Sequence, residues 1–326
     1  MRILITGGAG FIGSFFTQMI LAGPNKDVYE KVTVVDALTY AGNLSNLSDI
    51  YSYEKFTFIK GNICSKDLID ELVTNHDTII NFAAESHVDR SLVDASHFIA
   101  TNYFGVFNIL SAMKKHEGKK LIQISTDEVY GQIESGSWVE SQALDPRSPY
   151  SATKAAADLL ALAYTNSYGL DICITRASNN FGLRQNPEKL IPNTIVKAIK
   201  GEKIPVYGKG ENIRDWLYVG DHALGIEKVI FKGKSGNIYN LGGDNELSNI
   251  TLVKYILDIL KVDHNQIEFV QDRDGHDYRY SLLSTKAKRD LDYMPSSNFA
   301  SKVEETVEWY VKNESWWSPL VSKHHV

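Results

Sequence analysis

Cysteine is nearly missing: the 326 residues hold two, Cys64 and Cys173. Two thiols set in or beside apolar segments make no disulfide framework, so both read as buried and inert, and a reducing cytoplasm fits. No apolar run approaches the roughly 20 residues that span a bilayer. The opening "MRILITGG" lacks the charged stretch and apolar segment of a secretory leader. No Lys/Arg stripe offsets a formal net charge of −6, which speaks against a nucleic-acid surface. Metal-ligand spacings of Cys, His and Asp are missing, as are internal repeats and low-complexity tracts. These absences predict a cytoplasmic globular protein without membrane, nucleic-acid or metal partners.

What is present is ordinary in bulk, with 43% hydrophobic and 23% charged residues, and specific in pattern. Six short runs, Arg2 to Thr6, Lys31 to Asp36, Phe56 to Lys60, Thr78 to Phe82, Lys120 to Ser125 and Asp171 to Arg176, are β-branched and apolar on both faces. Parallel strands covered by helices must look like this. Helical patterns lie between them, as at 98–116 and 151–168. The alternation predicts an α/β fold, a Rossmann-like doubly wound parallel sheet. After about Asn180 the texture changes: Pro187, Pro192 and Pro205 punctuate shorter elements, and Gly201, Gly208 and Gly210 mark turns. A strand-like run at 236–243 precedes a helix at 250–260, and another helix covers 302–312. The reading is two parts, 1–180 and a smaller mixed α/β region at 181–326, with some elements interleaved.

"ITGGAGFIG" follows the first strand and gives Gly7-x-x-Gly10-x-x-Gly13. Glycines there permit a tight strand-to-helix turn and bring backbone N–H groups close to a pyrophosphate, which the helix N-terminus attracts. Asp36 ends the second strand, where a carboxylate accepts both ribose hydroxyls of NAD and repels the 2′-phosphate of NADP. NAD is the expected cofactor. "ISTDEVYG" then sets Asp127 and Glu128 side by side after a buried strand, and "SPYSATK" places Tyr150 and Lys154 one turn apart on a helix. Alone, each is commonly a solvated pair. Together with the cofactor turn they read as a site, since an ammonium beside a phenol lowers its pKa from near 10 and makes a general base.

Gly7-x-x-Gly10-x-x-Gly13, Asp36, Thr126 and Tyr150-x-x-x-Lys154 resemble the extended short-chain dehydrogenase/reductase family. Longer strings, among them "NFAAESHVDRS", "STDEVYG", "PEKLIP", "PVYGKGENIRDWLYVGDH" and "DRDGHDYRY", resemble its dTDP-glucose 4,6-dehydratases over nearly the whole chain. That resemblance implies a hydro-lyase that oxidises C4 of dTDP-glucose with bound NAD, eliminates water across C5–C6 and reduces C6. Residues 1–180 would then bind NAD and carry the catalytic groups, and 181–326 would mainly bind the sugar nucleotide. It assigns Tyr150 and Lys154 to C4 deprotonation and Thr126 to a hydrogen bond with the same oxygen. Asp127 becomes the acid and Glu128 the base of the elimination. Cofactor contacts carried over are Gly7, Gly10, Phe11, Ile12, Gly13, Asp36, Ala37, Leu38, Thr39, Asn62, Ile63, Phe82, Ala83, Ala84, Ser86, Thr101, Tyr150, Lys154 and Asn180. Substrate contacts are Ser86, Thr126, Asn179, Lys189, Leu190, Pro205, Tyr207, Arg214, Asn249, Arg273 and His276.

His87 is expected in a hydrogen-bonded structural role. Asn62, Leu183 and Asp274 depart from the family pattern, the last two near the expected nucleotide surface. The same resemblance implies a homodimer, paired through the helices at 98–116 and 151–168. Alternatives are a UDP-glucose 4,6-dehydratase, a 4-epimerase and a non-catalytic NAD-binding protein. The Asp127–Glu128 pair speaks against an epimerase, which performs no elimination, and the retained Tyr150 and Lys154 speak against the non-catalytic reading.

Overall fold

The computed structural model of the chain describes residues 1–273, 275–295 and 298–323. Its strands in chain order are β1 (Arg2–Thr6), β2 (Lys31–Asp36), β3 (Phe56–Lys60), β4 (Thr78–Asn81), β5 (Lys120–Thr126) and β6 (Asp171–Ala177). They continue with β7 (Asn179–Phe181), β8 (Ile204–Tyr207), β9 (Ile213–Tyr218), β10 (Ile238–Leu241), β11 (Glu246–Ser248) and β12 (Ile267–Val270). Seven form one sheet in the order β10-β6-β5-β4-β1-β2-β3, and every neighbouring pair is parallel. The expected doubly wound sheet is what the chain forms.

Strand alternation explains its two apolar faces. Ile3, Ile5, Val34, Ile80 and Ile122 pack on one side with residues of the helices Phe11–Ala22 and Val219–Lys232. Their chain neighbours Leu4, Val35, Ile79 and Leu121 pack on the other with the helices Lys66–Thr74, Val106–Lys115 and Pro149–Tyr168. Successive side chains of a strand point to opposite faces, so a strand covered twice must be apolar throughout.

The seventh strand, β10, comes from far along the chain and pairs with β6, so residues beyond 181 contribute to the central sheet. The rest of that region holds a three-stranded sheet, β11-β9-β7, and the pair β12-β8. β7 and β9 contribute Phe181 and Trp216 to a third apolar cluster with Ile195, Leu252, Val307 and Tyr310, while Ile204, Val206 and Ile267 of β8 and β12 pack into a fourth with Val253 and Leu257.

Two local readings change. The long helix expected at 98–116 is a short turn Ser96–Phe98, a π-helical stretch Ile99–Gly105 and a regular helix Val106–Lys115; such widened turns commonly accompany functional sites. Cys64, read as buried, is exposed, because it follows β3 in a surface turn, whereas Cys173 on β6 is buried. Asp274 lies outside the described residues. No helix among those described is long and apolar enough to cross a membrane.

Ile80 is fully buried on β4, between β1 and β5. Ile80→Ala is expected to cost about 2–5 kcal/mol of stability, read as a lower urea midpoint with an unchanged slope.

Candidate functional site

In an open parallel sheet, a crevice forms where the strand order reverses direction, outside the carboxyl ends of the strands. Here the reversal falls between β1 and β4. A cavity of about 320 Å³ opens there, and the segments leaving β1 to β6 all line it. Gly7, Gly10 and Gly13 form its floor beside Phe11 and Ile12, with Asp36, Ala37, Thr39, Asn62 and Ile63 toward one end. Phe82, Ala83, Ala84, Ser86 and Thr101 form a wall, and Thr126, Asp127, Glu128, Tyr150, Lys154, Asn179, Asn180 and Lys189 surround the other end.

The glycine turn has no room for side chains. A Cβ on Gly7, whose φ is +68°, would lie 2.6 Å from the Ala83 nitrogen, and one on Gly13 would lie 2.5 Å from the Gly7 oxygen. Asp36 is fixed by two backbone donors, Ala9 N to Oδ2 at 2.9 Å and Leu38 N to Oδ1 at 2.8 Å. Burial pushes its carboxyl up, and those two bonds pull it down. A backbone cradle at a helix N-terminus with a carboxylate at the next strand end fits the pyrophosphate and adenosine ribose of NAD. Leu38 does not line the cavity. It takes a left-handed φ of 55° and packs toward the core instead, because its N–H is turned back onto Asp36.

The acidic pair lies in a 3-10 turn, Asp127–Tyr130, directly after β5. Thr126 caps it: its hydroxyl accepts from Glu128 N at 3.3 Å and donates to Asp127 Oδ1 at 3.2 Å. Asp127 is buried, and its Oδ2 has no hydrogen-bond partner. Burial pushes Asp127 well above the usual carboxylate range, and repulsion from Glu128 and Asp215 pushes the same way. Glu128 is also raised by burial, but Arg273, Arg214 and Lys189 pull it back. The two neighbours therefore face different electrostatic surroundings.

Tyr150 opens the helix Pro149–Tyr168, where Ser148 and Ser151 form a reciprocal cap and Pro149 takes the first position. One turn on, the Lys154 Nζ donates to the Ile124 carbonyl at 2.6 Å. The surroundings of Tyr150 work against a lowered phenol, so any help from Lys154 acts against a larger opposing effect. Burial raises Tyr150 well above its ordinary value, and Glu128 and Asp127 add to it by repulsion, because both carboxylates share its cavity.

Seven expected substrate residues, Leu190, Pro205, Tyr207, Arg214, Asn249, Arg273 and His276, lie outside this cavity's lining. Several form a neighbouring cluster. Tyr207 OH lies 3.4 Å from Asp89 Oδ2 and Arg273 Nη1 lies 3.5 Å from Asp89 Oδ1, while His276 Nδ1 meets Asp272 at 2.6 Å. The Arg273 Nε is buried without a partner. Arg214 is spent differently: its guanidinium donates to the carbonyls of Ile213, Asp277 and Tyr278 and covers the Tyr280 ring at 4.3 Å. Burial pushes the His276 imidazole down, as does Arg273. His87 departs from its expected hydrogen-bonded role. Its Nδ1 is buried without a hydrogen bond, and its Nε2 stands 3.7 Å from Glu188.

The sequence reading passed over Tyr40, Glu85, Glu188, His222, Trp316 and Leu320, all of which line the cavity. Glu188 stands in the quoted "PEKLIP" and carried a signal. Trp316 carried none, because it arrives from the last helix, where its indole donates to Asn46 at 3.0 Å.

The family model described as GDP-mannose 4,6 dehydratase matches residues 4–306. A dTDP-glucose 4,6-dehydratase from Streptomyces niveus is 47% identical over 99% of this chain and 96% of its own. The crystal structure of a dTDP-glucose 4,6-dehydratase from Streptomyces venezuelae, with NAD bound, superposes with a TM-score of 0.96 at 46% identity, covering 98% of this chain and all of that one (100%). A UDP-glucose 4-epimerase from Thermotoga maritima has a TM-score of 0.88 at 27% identity, over 96% of this chain and 100% of its own. The matched span takes in the glycine turn, the acidic pair and the Tyr150–Lys154 helix alike, and the chain belongs to the GDP-mannose 4,6 dehydratase family.

Proposed function

We propose that this chain is an NAD-dependent dTDP-glucose 4,6-dehydratase, yielding dTDP-4-keto-6-deoxyglucose and water. The observation that carries the chemistry is the Asp127–Glu128 pair, held in one cavity with Tyr150 and Lys154. The names of the relatives support the dTDP nucleotide. NAD held by the glycine turn and Asp36 would supply the oxidant for C4 and the reductant for C6, leaving each turnover redox-neutral.

The chain's own groups divide the proton work. Tyr150 takes the proton of the sugar 4-hydroxyl while Thr126 donates a hydrogen bond to that oxygen. The resulting ketone acidifies the C5 proton, which Glu128 removes. Asp127 protonates the C6 hydroxyl, which leaves as water. This assignment follows the electrostatics. The more strongly raised Asp127 keeps its proton and serves as acid, while the cations around Glu128 favour its ionised, basic form. The pair titrates as a coupled unit. The acid form is lost as pH rises through the raised carboxyl value, so the elimination step weakens toward alkaline pH.

Residues 1–180 hold NAD and the catalytic groups in this reading, and 181–326 supply much of the sugar-nucleotide surface. Arg273, with its unpartnered Nε, is the stronger candidate for the diphosphate, since Arg214 is largely committed to carbonyls. The protein works in the cytoplasm as a homodimer. Exposed apolar side chains support the pairing: Phe104 and Phe107, and Leu159 on the Pro149–Tyr168 helix.

Mass spectrometry of products from NAD-loaded protein is expected to show loss of water from dTDP-glucose without added NADH, and a kcat/KM at least tenfold higher than for UDP-glucose. A ratio near one would remove the dTDP assignment. Asp127→Asn combined with Glu128→Gln should leave C4 oxidation detectable as transient NADH absorbance while lowering dehydration by at least about 100-fold; parental dehydration in that variant would end the acid–base assignment. Sedimentation at micromolar concentration is expected to give twice the chain mass, and a monomer would refute the dimer.

A further inference from the structure

Behind Tyr150 and Lys154 lies a charged cluster that no step above uses. Asp158 stands one turn after Lys154 on the same helix, and both side chains are buried. Its Oδ2 accepts hydrogen bonds from Ser125 Oγ and Arg176 Nε, each at 2.9 Å, while its Oδ1 is buried without a partner. Ser125 is the residue after Ile124, whose carbonyl receives Lys154. Two consecutive residues of β5 thus anchor the lysine and the aspartate side by side. Arg176, itself 1% exposed, also lies over the Tyr130 ring at 4.7 Å.

A buried ammonium needs an opposite charge as well as a carbonyl dipole, because leaving water strips away its hydration. Asp158 is the charge that acts on Lys154, from one turn along its own helix, with Arg176 of β6 paired to it from behind; Asp127 and Glu128 of the turn after β5, and Tyr40, line the same cavity and act on Tyr150. Asn102 closes a further flank by joining the Glu85 backbone to Thr153. We propose that Asp158 is a positioning residue for the reaction: its carboxylate, fixed by Ser125 and Arg176, keeps Lys154 an ammonium beside Tyr150. This deepens the function proposed above and rests on it.

Burial brings the Lys154 amine down to about 8, with Asp158 opposing the fall. The ammonium is present below that value and lost as pH rises through it, so removing Asp158 moves the loss to lower pH. The test is the pH profile of kcat for the NAD-loaded parent, Asp158→Asn, Asp158→Glu and Arg176→Gln. A tyrosinate absorbance titration of the same proteins, blanked with Tyr150→Phe, runs beside it. Asp158→Asn is expected to move the alkaline limb down by about one pH unit or more and the Tyr150 ionisation up. Asp158→Glu restores the parental limb. Arg176→Gln breaks the same ion pair but keeps the carboxylate, so its limb does not fall. An unmoved limb in Asp158→Asn, or an equal fall in Arg176→Gln, overturns the proposal. Should Asp158→Asn not fold, the Asp158→Asn/Arg176→Gln double variant leaves no buried charge unpaired and carries the same downward shift; its absence there is equally fatal. A parent inactive on dTDP-glucose would instead sink the parent reading, while the tyrosinate titration would still judge Asp158.

Discussion

The Asp158–Arg176 pair, 2.9 Å long and closed to water, joins β6 to the helix that carries Tyr150 and Lys154. Its partner Ser125 belongs to β5, one residue before Thr126 and two before Asp127. The groups of the site are thus referred to one buried ionic contact across two strands and a helix. Breaking such a contact by removing one partner typically costs about 3–5 kcal/mol, since the other charge is left buried. The contact also fixes direction. With the helix pinned at Asp158 and capped at Ser148, the side chains on its inner face aim at the strand ends, and Lys154 meets the Ile124 carbonyl.

Burial of charge also gives the neighbouring carboxylates different surroundings. In water, Asp127 and Glu128 would be two similar acids. Inside the cavity, Asp127 has an unpartnered oxygen and faces Asp215, while Glu128 feels Arg273, Arg214 and Lys189. Low dielectric strengthens each of these influences. Two of the three cations reside on β9 and in the segment after β12, which ties the chemistry at β5 to the region beyond residue 181.

Much of this was legible in the residues. The runs now forming β1, β2 and β3 carry the expected boundaries, and β4, β5 and β6 differ by one residue each at their ends, because two-sided burial writes a dense apolar signature. The glycine turn, Asp36, the acidic pair and Tyr150-x-x-x-Lys154 were legible as well, since each is a local spacing with a local geometric reason. Leu38 falls outside the cavity lining, with its N–H donating to the Asp36 carboxylate. Cys64 was misread because an apolar neighbourhood in sequence is not burial in space. The π-helical turns at Ile99–Gly105 leave no distinct mark in a helical periodicity.

Sequence alone determined the fold class, the cofactor turn and the local spacing of the side chains proposed to react, because strand alternation, glycine spacing and i,i+4 placement are properties of short segments. Tertiary structure alone decided which charges surround them. Asp215, Arg214 and Arg273 stand about 90 to 145 residues from the acidic pair along the chain, and Trp316 reaches the cavity from its far end. Electrostatic influence depends on distance through a dry interior, and chain separation does not encode that distance.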